Sequence, residues 1–219
     1  MKHTLLALVA LAALLALPAA AQEVTVTQSG ATLRMQALDH RFTLPLPDWL
    51  SAAERLNPDV LALVEDNTYA DPRQAFVEFF PAGQTAQSWT TTYAARLTLD
   101  PERPLEDYRQ ATIYGYSQTC NEQLAGSFSL GPDSPGSLAP LVYVCGAYKS
   151  ELTSLRGQGQ VLLAVFRKTE AGVGMVYQEW KGPVFDPADP ATWPVGRAAL
   201  EARASQLRDQ VQLVVATGT

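Results

Sequence analysis

Apolar and polar positions alternate with period two over most of this chain, and the alternation gives way to helical spacing in only a few stretches. Val24 and Val26, then Leu33, Met35 and Ala37, alternate around the Ser29-Gly30 turn and predict a hairpin with one wet face. A third strand is expected over Arg41 to Leu46, with Phe42, Leu44 and Leu46 on one side and Pro45 and Pro47 ending it. Pro47-Asp48-Trp49 reads as a turn into a helix that Ser51 caps, with Glu54 completing a capping box. Asn57-Pro58 interrupts that segment, and a second helical or irregular stretch is expected up to Glu65.

From Gln74 to Phe80 both parities are apolar or aromatic and Glu78 is the only charge, which predicts a central strand covered on both faces. Thr85 is read as the cap of a single helical turn ending at Trp89, and Thr90 to Leu99 returns as a Thr-rich strand. Pro104 opens a helix whose stripe is Leu105, Tyr108, Thr112 and Tyr116, with Cys120 just past its end. Gly126 to Pro140 reads as a loop with a brief pairing at Ser127 to Leu130, and Leu141 to Tyr148 as a strand. Gln160 to Lys168 and Val173 to Lys181 form a hairpin about Glu170-Ala171-Gly172, and four prolines from Pro183 to Pro194 mark an extended loop. In the last helix Leu200, Ala204, Leu207, Val211 and Val214 share a stripe, with Arg197, Glu201, Arg203, Arg208 and Asp209 mostly outside it. Strands joined by short turns, with helices interspersed singly, predict an α+β fold in which helices flank an antiparallel sheet, as one domain over residues 22–219.

The start of the chain departs from this pattern. Lys2 and His3 precede an apolar run from Leu5 to Leu17, then Pro18 and Ala19 to Ala21, which is the layout of a secretory signal cleaved after Ala21. Spanning a bilayer as a helix takes roughly twenty apolar residues, so stable membrane insertion is not expected, and no cysteine follows the run to accept a lipid. The expected location is the periplasm. There, Cys120 and Cys145, the only cysteines, are expected to form a disulfide. Loss of Lys2 with the leader takes the net charge from −6 to −7, and no Lys/Arg cluster appears, so nucleic-acid and anionic-lipid partners are disfavoured.

Candidate chemistry is sparse. Behind the leader His40 is the only histidine, too few for a His/Cys zinc site, and no G-x-S-x-G, P-loop or G-x-G-x-x-G is present, so no metal or cofactor is expected. His40 is read as a strand-end or surface residue. Glu78 and Glu179 stand out as lone acids in aromatic-rich strands, where partial burial would raise their pKa; the plain alternative is that each faces solvent or pairs with an arginine. Trp89 and Trp180 carry the same two readings: Trp89 either lines a ligand groove, with Thr85 and Glu78 nearby, or closes a core edge, and Trp180 is weighed likewise. Asp186 and Asp189 fit turn hydrogen bonds better than a calcium loop.

The stretch Glu78-Phe79-Phe80-Pro81-Ala82-Gly83-Gln84-Thr85-Ala86-Gln87-Ser88-Trp89 resembles a pattern in a family of exported proteobacterial proteins that has no assigned activity. Phe42-x-Leu44-x-Leu46-Pro47-x-Trp49 resembles the strand-to-helix entry of PsbP-like α/β/α sandwich domains. The resemblance implies that fold, and by analogy an accessory rather than catalytic role. The expected function is therefore a non-catalytic periplasmic binding or accessory protein that contacts an envelope protein or a small ligand. The alternative is a carboxylate-based hydrolase acting on an envelope glycan or ester.

Overall fold

The computed structural model describes residues 23–134 and 136–216; the expected leader and its cleavage point lie outside the described residues. Four strands form a smaller sheet. These are β1 (Thr25–Ser29), β2 (Thr32–Ala37), β3 (His40–Pro45) and β11 (Gln212–Val215), hydrogen-bonded in that order and antiparallel throughout. The larger sheet takes β4 (Val64–Ala70), β5 (Gln74–Pro81), β6 (Thr91–Thr98), β7 (Ala125–Ser129), β8 (Leu141–Cys145), β9 (Gln158–Lys168) and β10 (Val173–Pro183). Its order is β4-β5-β6-β10-β9-β8-β7, again entirely antiparallel. Two helices, α1 (Leu105–Ser117) and α2 (Arg197–Gln210), complete the α+β fold that the alternation predicts.

The strand parities assign two cores. Ala75, Val77, Phe79, Tyr93, Ala95, Leu97, Val161, Leu163, Val165 and Val176 face inward to α2 and the small sheet, meeting Leu33, Phe42, Leu44, Leu200, Ala204 and Leu207. The opposite parity, including Leu141, Tyr143, Leu162, Ala164, Phe166 and Met175, is covered by Leu105 and Tyr108 of α1. Helix, large sheet, and helix beside small sheet thus make three layers. Gly174 lets two of them approach: a Cβ there would collide with the Phe42 ring and meet Leu213 Cδ2 at 2.8 Å. The Cys120–Cys145 disulfide ties the end of α1 to β8, as expected from the paired cysteines.

Several expectations need correction. Ser51 and Glu54 do exchange capping-box bonds, the Ser51 amide to Glu54 Oε2 at 2.7 Å and the Glu54 amide to Ser51 Oγ at 3.3 Å. They close only a 3-10 turn, Glu54–Leu56, because Asn57-Pro58 stops it. After a second short turn the chain to Ala70 is the edge strand β4, with five exposed residues in its middle. This makes β5 second from the edge, and β10 occupies the centre. Thr85 caps no helix; it pairs with Ser88 across a tight turn. The final helix stops at Gln210, so Val214 lies in β11 against Arg41 and not on a helical stripe. His40 begins β3 but is buried, with Nδ1 on the Leu38 carbonyl at 2.7 Å and Nε2 on Thr169 Oγ1 at 3.0 Å. Arg203, assigned to the outer face of α2, is buried. Its Nε donates to Gln178 Oε1 at 2.7 Å, Nη1 donates to the Leu46 carbonyl and to Gln206 Oε1, and the guanidinium lies 4.4 Å from the Tyr93 ring centroid.

Candidate functional site

Residues 78, 96, 177 and 179 share the face of the large sheet that α1 only partly covers. The register makes this necessary: Glu78 is opposite Ala94, Ala94 opposite Tyr177, and Arg96 opposite both Phe76 and Met175, so one parity of three adjacent strands carries all four side chains. Helix α1 crosses this face, and between it and β5, β6 and β10 lies a groove of about 500 Å³. Arg96, Met175 and Tyr177 are on its floor, and Tyr108, Gly115 and Tyr116 of α1 are on its wall. A volume of this order suits a small organic ligand.

Behind the groove the two expected acids are held by tyrosines. Tyr177 Oη donates to Glu78 Oε1 at 3.3 Å, while Asn67 Nδ2 donates to Oε2 at 3.0 Å. Glu179 is buried, and its Oε1 accepts from Tyr116 Oη at 2.5 Å and from Gln160 Nε2 at 2.7 Å. Tyr148 in turn donates to Gln160 Oε1, so four side chains form one chain of hydrogen bonds. Desolvation pushes the Glu179 carboxyl up to about 7; the negative Glu78 adds to this, while the bonds from Tyr116 and Gln160 and the charge of Lys181 oppose it. Burial also drives the Tyr116 and Tyr177 hydroxyls well above the usual phenol value, with Glu179 adding to it, so both remain hydrogen-bond donors across the physiological range.

The four sequence-derived candidates therefore divide. Glu78 and Glu179 are brought to one sheet face. Trp89 connects to them only through Lys181, whose Nζ lies 4.1 Å from its ring centroid and whose charge acts on Glu179. Trp89 lines a separate shallow depression with Gln158 and Lys181, and Thr85 is exposed on the turn beyond it, its Oγ1 accepting from the Gln87 amide. Neither acid forms an ion pair among the described residues, but they differ in exposure: Glu179 is buried, whereas Glu78 is half-buried and keeps a solvent-facing side where Asn67 meets it. Asp186 and Asp189 accept turn bonds from the Ala188 and Ala191 amides, and no group of three or more His, Cys, Asp or Glu suited to a metal occurs among the described residues.

Arg96 is the site residue that sequence reasoning passed over. Its Nε is buried without a hydrogen-bond partner and its guanidinium sits 5.6 Å from the Phe76 ring centroid. The signal was present: Arg96 is the lone charge of β6, as Glu78 is of β5.

No family model and no curated protein matches the chain. Among solved structures, the Mog1 protein carrying an E65A mutation aligns over 89% of this chain and 96% of its own at 12% identity, with a TM-score of 0.43. DynU16, from the dynemicin biosynthetic locus, aligns over 83% of this chain and 80% of its own at 10% identity, with a TM-score of 0.13.

Proposed function

We propose that this is an exported, non-catalytic binding or accessory protein of the periplasm that takes a small ligand in the groove under α1, and that it belongs with the exported family its Glu78–Trp89 stretch resembles. The observation that carries the binding role is the groove itself: it has ligand dimensions, it is lined by an arginine whose Nε has no hydrogen-bond partner among the described residues, and no carboxylate is among its lining residues. Export is supported by the Cys120–Cys145 disulfide, which persists in an oxidising compartment. No helix of the described residues is long and apolar enough to cross a membrane.

A hydrolase is the second reading, and one observation favours it: Glu78 and Glu179 share a face and Glu179 titrates near neutrality, as a general acid must. Against it, Glu179 is buried with two donors on one oxygen, and substrate in the groove would meet the tyrosines first. The test is to purify the protein natively from envelope extracts. It is expected to carry a small molecule that denaturation releases, and to turn over neither nitrophenyl esters nor fluorogenic glycosides. Reproducible hydrolysis abolished by Glu78→Gln would overturn the non-catalytic reading.

A further inference from the structure

Two features of the groove have no explanation in the packing of the protein. Gly115 lies in the interior of α1, where glycine costs roughly 0.5 to 1 kcal/mol relative to alanine. Yet a Cβ at this position would meet no atom within 4 Å, so no neighbouring group requires its absence. What the missing side chain does is leave the groove wall open. The second feature is Arg96. A guanidinium carries five N–H donors, and one of those of Arg96 is buried with no acceptor although Glu78 is its diagonal neighbour on the sheet. Glu78 instead accepts from Asn67 and Tyr177. Among the described residues no carboxylate pairs with this guanidinium, which lines the groove, so an acidic head entering the groove meets a cation that the protein leaves unneutralised.

The rest of the lining indicates what carries the acceptor. Met175, Ala111 and the ring of Tyr108 offer an apolar surface, the polarisable thioether of Met175 being suited to a flat ring system. Thr112 and the second cation, Arg103, also line it, while the Tyr177 hydroxyl is taken by Glu78. Arg103 is already shared with Asp100 at 3.7 Å and stacks on Tyr108, which leaves Arg96 as the anchor.

We propose that the groove binds a small amphipathic organic anion, its acidic head on the Arg96 guanidinium and its apolar body passing Gly115 along Met175 and Tyr108. This rests on the groove being the binding site and names the class of ligand it takes. Anionic selectivity follows from the charge-assisted bonds that a carboxylate, sulfonate or phosphate head makes to an arginine fork and a neutral group does not.

The test uses two fluorescent probes that differ only in the head: 8-anilino-1-naphthalenesulfonate and the uncharged N-phenyl-1-naphthylamine. The full chain is expected to bind the sulfonate at least about tenfold more tightly, the margin that charge-assisted hydrogen bonds supply. Arg96→Gln should erase the difference while leaving the neutral probe unaffected. Glu78→Gln should tighten the sulfonate alone, because it removes a carboxylate diagonal to the anchor on the same sheet face. Gly115→Trp should block both probes, and with open space at its Cβ it is expected to fold. Equal affinity for the two probes, both blocked by Gly115→Trp, would overturn the anion assignment and leave the groove as the site. Binding of either probe that is indifferent to Gly115→Trp would overturn both.

Discussion

Replacing Glu179 by glutamine isolates the most perturbed acid in the protein. The glutamine carbonyl can still accept from Tyr116 and Gln160, so the variant removes ionisation with little change in shape. The Glu179 carboxyl moves from 4.5 to about 7 on folding because burial disfavours its charged form. For an acid shifted upward, the folded state holds the proton over a range where the unfolded state has released it. Stability therefore falls as pH rises from about 4.5 to about 7 and is level above that. The fall is on the order of 3 kcal/mol, at about 1.4 kcal/mol for each pKa unit. The glutamine variant escapes it. Urea unfolding at pH 4.5, 6 and 8 should show wild type and variant close together at the lowest pH, with the variant progressively more stable above it. The expected lead at pH 8 is about 3 kcal/mol, or roughly 6 to 12 °C in thermal midpoint for a domain of this size. Because the difference between two proteins is read at each pH, distant carboxylates cancel. A difference that does not change with pH would refute the claim that burial raises the Glu179 carboxyl well above its usual range.

Replacing Cys120 and Cys145 together by alanine should lower stability by roughly 3 to 4 kcal/mol, the chain-entropy value for a loop of their separation of 25, measured by urea unfolding with and without reductant; a wild type insensitive to reductant would contradict it. Arg203→Ala should cost about 3 to 5 kcal/mol, because Gln178 and the Leu46 carbonyl lose a buried donor, and Arg203→Lys should recover less than half because one ammonium cannot span the three acceptors. Gly174→Ala should lose roughly 1 to 3 kcal/mol through the clash with Phe42 and Leu213, and a neutral result by thermal melting would show that the two sheets are not held as closely as described.

What was legible in the chain is what burial writes into it with a short period. The hairpins around Gly30 and Gly172 and the α1 stripe follow from alternation or spacing confined to neighbouring residues, and the disulfide follows from there being just two cysteines to pair. Strand β4 left no such mark, because Glu65 to Tyr69 are exposed on an edge and no core selects one parity. The overrun of α2 has a different cause: Val211 and Val214 continue the four-three spacing, yet Val211 is the buried residue just past the helix and Val214 belongs to a strand. Arg203 shows the limit at long range, since its partners Gln178 and Leu46 are 25 and 157 positions away and nothing local distinguishes it from Arg208. In the site, Glu78 and Glu179 were found as lone acids in aromatic-rich strands. Arg96 met the same criterion with the opposite sign, and Tyr116 was read for its place on a helix stripe and not for its hydroxyl.

The groove also contains its own reporter. The sequence has three methionines; of the two beyond Met1, Met175 lines the groove and Met35 is buried in the core between the sheets. Carbon-13 methyl spectra of the methionine-labelled protein, titrated with 8-anilino-1-naphthalenesulfonate, should show the Met175 signal move saturably while Met35 stays still, with no movement in Gly115→Trp. A Met35 signal that moves with it, or a Met175 signal that stays put while the probe binds, would place the ligand elsewhere and contradict the account.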